Sequence, residues 1–236
     1  MNIKKYVAVF LIVFFISVFI ALMVTSTAHI TLRTAAMPQK KMPHIVIDAG
    51  HGGEDGGAVS SDGVPEKEIN LTIAQDADAL LTFFGFYTEM TRNDDGDLST
   101  EGDNTKQRKN SDMKKRLEIF NASDDNTIIS IHQNKFSDTK SHGTQVFYSP
   151  NNEKSLLLAD AIKFSVKSQL QPDNERLSKP ADSSIYLLKN TDNPAVIVEC
   201  GFLSNKDECE KLKNREYQKQ MAFAVTTGFM DYYHTN

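Results

Sequence analysis

The pattern of hydrophobic positions divides the chain into an apolar amino-terminal segment and a longer region of alternating short apolar runs and amphipathic stretches. Residues 6–24 are almost unbroken apolar sequence, and two lysines precede them. About 19 such residues can cross a bilayer, and lysines before the segment keep the amino terminus in the cytoplasm. The pattern therefore predicts a signal peptide or signal-anchor helix over 1–28, a polar linker over 29–42 and an exported domain over 43–236.

Within the exported region, short runs rich in branched or aromatic residues predict strands, and apolar residues three or four positions apart predict helices. The expected strands are Ile45–Ile47, Phe86–Thr91, Thr127–His132, Gly143–Tyr148, Ser184–Leu188 and Ala195–Glu199. The expected helices are Glu66–Phe84, one that begins near the end of a polar loop over Asn93–Asn110, Glu153–Leu170 and Glu216–Tyr233. Strands that alternate with helices indicate a single α/β domain, with a twisted, mostly parallel sheet of about six strands and helices on both faces.

Length, charge and cysteine content narrow the class of protein. About 190 exported residues are enough for one self-sufficient core. The net charge of −5 argues against nucleic acid as the main partner. Two cysteines, Cys200 and Cys209, are too few for a disulfide scaffold. An exported protein permits a bridge between them without requiring it, and Cys200 is expected to be a small core residue at a strand end.

Ionisable side chains stand at the ends of three expected strands. His51 follows the first strand in a glycine-rich turn, and His132 and Glu199 end two later strands. Carboxyl ends of parallel strands meet at one edge of a sheet, and Glu66 is tethered near that edge. Two histidines and one carboxylate form a catalytic zinc set, and a second glutamate can serve as general base. The spacing is not a compact metal motif, so the residues alone leave structural histidines as an equal alternative.

Four segments resemble, in the same order, those of the zinc-dependent N-acetylmuramoyl-L-alanine amidases of bacterial cell walls. They are IVIDAGHGGEDGGA, PEKEINLTIA, TIISIHQNKF and VIVECGFLSN. The resemblance runs from about residue 44 to residue 233. It implies that His51, Glu66 and His132 bind zinc and that Glu199 is the catalytic glutamate. Glu68 is a rival ligand, but neighbours two apart on a helix point in different directions. The match of Glu66 and the following lysine to the family motif favours Glu66.

The reaction implied by this resemblance is hydrolysis of the amide bond between muramic acid and L-alanine in peptidoglycan. Zinc would lower the pKa of its bound water and polarise the carbonyl, and Glu199 would move the proton from water to the leaving amine. One alternative is another zinc hydrolase of peptidoglycan, such as a carboxypeptidase. A second alternative is a non-catalytic wall-binding module, although binding alone would not need two histidines and two acids.

Two further stretches, Gln107–Leu117 and Gly143–Pro150, resemble the germination-specific amidases of spore-forming bacteria. That subgroup removes stem peptides from spore-cortex glycan as the first step toward muramic-δ-lactam. The resemblance implies cortex peptidoglycan as substrate, and a membrane-anchored or secreted location between the forespore and mother-cell membranes. It also makes an accessory activating protein plausible. Lys135 departs from the small residue that relatives often carry there.

Several other polar and ionisable residues have expected roles near the site or in the fold. Asp48 and Asn134 would either orient imidazole rings of the ligands or stabilise turns. Arg92 would either meet a substrate carboxylate or pair with Asp94 or Asp95, and the pairing is the preferred expectation. The remaining histidines are expected to be structural or solvated, namely His29, His44, His142 and His234.

Overall fold

In the computed structural model of the protein, the described residues are 3, 10–24 and 42–236. The chain divides into two compact units, Met1–Lys41 and Met42–Asn236. Residues 10–24 of the first unit form a helix with exposed side chains. Among the described residues, no helix is long and apolar enough to span a membrane. The rest of the expected signal or anchor segment and nearly all of the expected linker lie outside the described residues, so both stay predictions.

The second unit contains six strands and the helices that connect them. In chain order its elements are β1 (His44–Ala49), α1 (Glu66–Phe83), β2 (Tyr87–Met90), α2 (Thr105–Phe120), β3 (Asn126–Asn134), β4 (Gln145–Tyr148), α3 (Glu153–Gln169), β5 (Lys179–Pro180), α4 (Tyr186–Lys189), β6 (Ala195–Phe202), α5 (Lys206–Lys213) and α6 (Arg215–Thr235). The strand order is β2-β1-β3-β6-β4-β5. Only β4 and β6 pair in antiparallel fashion. The predicted single α/β domain with a six-stranded, mostly parallel sheet is therefore confirmed.

The central strands are buried on both faces because their alternate residues enter two different cores. Ile45 and Ile47 of β1 belong to a large cluster that also contains apolar residues of α1, α3, α5 and α6. Val46, between them, belongs to a second cluster with residues of α2 and α4. This alternation follows from the period of two in a strand. Helices therefore cover both faces, as the sequence predicts.

Helix α2 begins earlier than its sequence suggests. The polar loop expected over Asn93–Asn110 ends at Asn104, whose side chain accepts a hydrogen bond from Gln107 N at 3.0 Å and caps the helix. Three of the four buried residues of this helix are polar or charged, namely Ser111, Asp112 and Arg116. Apolar periodicity therefore could not reveal its first turns.

The prediction of a strand over Ser184–Leu188 is wrong. Asp182 accepts hydrogen bonds from the amide and the hydroxyl of Ser184, at 2.8 and 2.5 Å, which forms a turn ahead of the short helix α4. Adjacent residues Leu187 and Leu188 both pack into the second core cluster, whereas neighbours in a strand would point to opposite faces. The sixth strand is instead the short β5, which pairs with β4. Helix α5 is not predicted because only Cys209 and Leu212 of its residues are buried.

Candidate metal centre

Three side chains meet above the carboxyl ends of β1 and β3. His51 follows β1, His132 lies near the end of β3, and Glu66 is the first residue of α1. Glu66 Oε1 lies 3.1 Å from His51 Nε2 and 3.1 Å from His132 Nδ1. One donor atom from each residue lies within 4.8 Å of the others, which is close enough for all three to reach one metal ion. The structure thus brings together all three of the expected ligands.

The Glu66 carboxylate is held from several directions. It is only 3 % exposed, and its Oε2 accepts a hydrogen bond from Ala58 N at 2.7 Å. Its Oε1 accepts hydrogen bonds from Asn70 Nδ2 at 3.1 Å and from Gln133 N at 3.3 Å. Burial alone would raise the pKa of Glu66, but hydrogen bonds with the two histidines lower it well below its usual range. The carboxylate is therefore fixed and ionised. Glu68, the rival ligand, is exposed.

His51 is oriented by a residue that the sequence analysis did not single out. Its Nδ1 lies 2.9 Å from Asp55 Oδ2, which leaves Nε2 directed at Glu66. Burial lowers the pKa of His51, but Asp55 and Glu66 outweigh this effect and raise it to about 9. A histidine that ligates a metal usually gives its other N–H to such an acceptor. The spacing of four residues between His51 and Asp55 within a glycine-rich turn was the available signal.

Two residues expected near the ligands have other partners. Asp48 is fully buried and pairs with Arg116, and it accepts hydrogen bonds from Thr91 Oγ1 at 2.8 Å and Ser130 Oγ at 2.5 Å. The Asn134 side chain accepts a hydrogen bond from Lys135 N at 2.8 Å. Neither contact orients an imidazole. The expected ligand-orienting role is therefore replaced by Asp55, and Asp48 and Asn134 stabilise the local fold.

The expectation that Arg92 pairs with Asp94 or Asp95 is wrong. The side chain is 4 % exposed and donates to main-chain carbonyl oxygens, including Ala49 at 2.9 Å and Gly50 at 3.0 Å. It reaches Asp94 only through the main-chain oxygen of that residue, at 2.8 Å. Buried carbonyl groups of the turn after β1 need donors, and Arg92 supplies them.

Glu199 lies beside His132 because the two residues are paired across β6 and β3. Its side chain is partly buried, and its Oε2 has neither solvent contact nor a hydrogen-bond partner among the described residues. Burial raises the pKa of this carboxyl to about 7. A buried carboxyl group without a partner is costly for folding alone and is typical of a functional site.

The other histidines and the cysteines lie outside this cluster. His44 Nδ1 lies 2.8 Å from Asn126 Oδ1, whereas His142 and His234 are exposed. These three fit a structural or solvated role, and His29 lies outside the described residues. Cys200 and Cys209 are both free and buried, which agrees with a core role for Cys200.

An α/β sheet with two histidines after its strands, a glutamate at the start of the adjacent helix and a second carboxyl group beside them has the donor set of a metal-dependent hydrolase. The sequence profile of the N-acetylmuramoyl-L-alanine amidases (Amidase_3) matches residues 45–231. The chain belongs to this family. It is thus an amidase that acts on peptidoglycan, and a cell-wall substrate places its catalytic domain outside the cytoplasm.

Relatives with known names support this assignment. The germination-specific N-acetylmuramoyl-L-alanine amidase of Bacillus subtilis is 33% identical over 192 residues, which are 80% of this chain and 79% of that protein. The CwlD amidase of Clostridioides difficile, solved in complex with the GerS lipoprotein, is 38% identical with a TM-score of 0.79. That match covers 82% of this chain and 100% of the other. A second amidase, from Clostridium difficile 630, is 26% identical with a TM-score of 0.72 and covers 83% of this chain and 98% of the other.

Proposed function

We propose that this amidase is a zinc enzyme in which His51, Glu66 and His132 hold the metal and Glu199 is the general base. The observation that supports this most strongly is the meeting of three donor atoms within 4.8 Å, beside a carboxyl oxygen that has no hydrogen-bond partner in the described part of the chain. Two imidazoles and one carboxylate fit zinc, whereas magnesium and calcium prefer oxygen ligands alone. Three protein ligands leave a position open, as catalytic zinc sites do.

Zinc, when bound, supplies a Lewis acid that lowers the pKa of a water molecule and polarises the scissile carbonyl. Glu199 accepts a proton from the attacking water as the new carbon–oxygen bond forms. The same carboxyl then donates that proton to the nitrogen of L-alanine as the amide bond to the lactyl group of muramic acid breaks. Burial raises the pKa of the Glu199 carboxyl above its ordinary value, which makes this group a better proton acceptor than an exposed glutamate.

The remaining contacts keep the ligands in position for this chemistry. Asp55 fixes the His51 ring so that Nε2 stays free for the metal. The hydrogen bonds from Ala58 N and Asn70 Nδ2 hold the Glu66 carboxylate in one orientation. Ligands that are already in place before the metal arrives reduce the cost of ordering the site.

The natural substrate in this proposal is spore-cortex peptidoglycan, from which the enzyme removes stem peptides on the way to muramic-δ-lactam. The similarity to the germination-specific amidase of Bacillus subtilis supports this role. The CwlD amidase of Clostridioides difficile forms a complex with a lipoprotein, and we propose an accessory activating protein for this chain as well. The apolar amino-terminal segment would then retain the enzyme on the outer face of the membrane, in the space between the forespore and mother-cell membranes.

Digestion of purified peptidoglycan by the full chain tests the proposal. We expect stem peptides with a free L-alanine amine, faster release from cortex than from vegetative glycan, and loss of activity with a chelator that added zinc reverses. A new amino terminus on any other residue would show a different bond specificity. Equal rates on both glycans would contradict the cortex role but not the amidase reaction. No release by the zinc-loaded chain, even with extract from sporulating cells, would contradict the reaction itself.

A further inference from the structure

A cavity of about 200 Å³ opens beside the proposed metal ligands, and its two walls differ in character. One wall is apolar and includes Ile185, Tyr186 and Leu187. The other wall comes from α2 and includes Lys109, in the stretch Gln107–Leu117 that resembles the germination-specific subgroup. The mechanism above uses no residue of either wall.

The Lys109 ammonium is close to the metal ligands and still accessible. Its Nζ lies 2.9 Å from Asp55 Oδ2, the oxygen that also lies 2.9 Å from His51 Nδ1. Because both nitrogens contact one oxygen, they are no more than about 6 Å apart. The side chain is 50% exposed. A lysine ammonium has three donors, so it can bind Asp55 and a second anion at once.

The other cation that lines this cavity cannot bind substrate in this way. Arg116 is 2% exposed, and its guanidinium donates to Asp48, Asp112 and the main-chain oxygen of His51. Among the described residues that line the cavity, Lys109 is thus the permanently charged cation that can reach a ligand. An anion at this side of the metal site would meet Lys109 first.

We propose that Lys109 is a specificity-determining residue that binds the α-carboxylate of the second stem-peptide residue. The proposal rests on the amide hydrolysis described above. In a stem peptide whose second residue is D-glutamate linked through its side chain, the α-carboxylate is free. That group is two residues beyond the scissile carbonyl, about 7 Å in extended backbone. The Lys109 ammonium is within about 6 Å of His51 Nδ1, and its flexible side chain can adjust to a carboxylate that lies this far from the scissile bond.

Two synthetic substrates separate a charge contact from a structural role. One is the muramoyl dipeptide that ends in D-glutamate, and the other carries the α-carboxamide, D-isoglutamine, in its place. We expect the zinc-loaded full chain to prefer the carboxylate substrate by about fivefold in kcat/KM, mainly through KM. Lys109→Gln should remove this preference, and Lys109→Arg should keep most of it.

Lys114→Gln is the matched control because Lys114 is exposed on the same helix and does not line the cavity. It changes the net charge equally, so it should leave the substrate preference unaltered. Zinc content is measured for every variant. An equal loss on both substrates together with a lower zinc content would reassign Lys109 to positioning Asp55 and His51, and would overturn the proposal.

Binding measurements decide the proposal independently of turnover. Calorimetry with the released peptides, L-alanyl-D-glutamate and L-alanyl-D-isoglutamine, should show the same preference in the zinc-loaded chain and its loss in Lys109→Gln. Equal affinities in the unmodified chain would overturn the proposal. Failure to cleave either substrate, with the binding preference intact, would contradict the amide hydrolysis and not the role of Lys109.

Discussion

Gly57 lies against two of the three proposed metal ligands. Its φ of +69° is in the region that favours glycine, and a Cβ at this position would lie 2.4 Å from Glu66 Cγ and 2.7 Å from His51 Cδ2. Any side chain here would have to displace both ligands. Gly57 is therefore part of the metal site, because it leaves the space in which two of the proposed ligands converge.

We expect Gly57→Ala to weaken zinc binding by at least about tenfold, as changes around ligands commonly do. Competition with a chromophoric chelator measures this affinity. Gly63→Ala is the control, since Gly63 also has a positive φ, +91°, but nothing lies within 4 Å of its added Cβ. Both substitutions strain the backbone by about 1 kcal/mol. Equal zinc affinities in the two variants would contradict the role given to Gly57.

The convergence of the proposed site residues was predictable from the sequence, and the contacts that hold them in place were not. His51, His132 and Glu199 follow or end apolar runs, so their convergence follows from parallel strand order alone. The role of Asp55 depends on how a glycine-rich turn folds, and turn conformation has no hydrophobic period to reveal it. The same limit explains the wrong prediction for Arg92, whose partners are main-chain carbonyls.

At the scale of elements, a buried ion pair joins α2 to β1. Arg116 of α2 donates to Asp48 at the end of β1 and to Asp112 Oδ2 at 2.8 Å. Burial would raise the pKa of Asp48, but the guanidinium and the hydrogen bonds from Thr91 and Ser130 lower it below its usual value. Removal of one partner from such a pair costs about 3–5 kcal/mol, since the other charge stays buried.

Asp48→Asn should therefore lower the free energy of unfolding by about 3 kcal/mol at pH 7. Because the folded pKa of Asp48 is depressed, its stabilising effect is present above its ordinary value near 4 and is lost as the pH falls toward the folded pKa. Denaturant unfolding measures the free energy of unfolding at pH 7 and at pH 3. The decrease in this free energy from pH 7 to pH 3 should be smaller for Asp48→Asn than for the unmodified protein.

The double variant Asp48→Asn with Arg116→Met provides the matched control for this prediction. Arg116→Met also removes the ion-pair partner of Asp112, so the double variant is compared with the sum of the two single variants, and it should lose less stability than that sum at pH 7. Additive losses in the two single variants and the double variant would show that the pair does not couple α2 to β1.

Helices α3 and α6 approach closely at Gly228. A Cβ on Gly228 would lie 2.6 Å from Ile162 Cα and 3.0 Å from Ala161 O, which are both main-chain atoms of α3. Glycine to alanine in a helix usually stabilises it by about 1 kcal/mol. Here the added methyl group would push two packed helices apart.

We therefore expect Gly228→Ala to lower the free energy of unfolding by about 1–3 kcal/mol, the usual cost of overpacking. Denaturant midpoints measure the change, and unaltered zinc affinity shows that the effect is confined to the helix packing. A stabilised variant would mean that α3 and α6 are not in main-chain contact at this position.

The sequence predicted elements well where burial was apolar and poorly where it was polar. β1, β3 and β6 are continuous apolar runs because both of their faces are buried. The first turns of α2 and all of α5 have few buried apolar residues, so their caps, Asn104 and Asn205, were the available signals. The run over Ser184–Leu188 has strand-like composition, but the turn formed by Asp182 directs it into a helix.

At the scale of the whole molecule, the catalytic domain concentrates its chemistry at one edge of the sheet. Parallel β1 and β3 direct His51 and His132 to that edge, and β6 places Glu199 next to His132. Helix α1 begins at the same edge with Glu66. The placement of these residues at one edge could be predicted from the alternation of strands and helices. The cavity wall from α2 could not be predicted, because polar contacts and not apolar packing position that helix.

In the proposed mechanism, three residues hold zinc and Glu199 moves the proton. Zinc content and turnover measured together on Glu199→Gln and His132→Ala test this division of roles. We predict that Glu199→Gln retains one zinc ion per chain while its kcat falls by at least about 100-fold. His132→Ala should lose both zinc and activity. Loss of zinc from Glu199→Gln, or full turnover by that variant, would contradict the account.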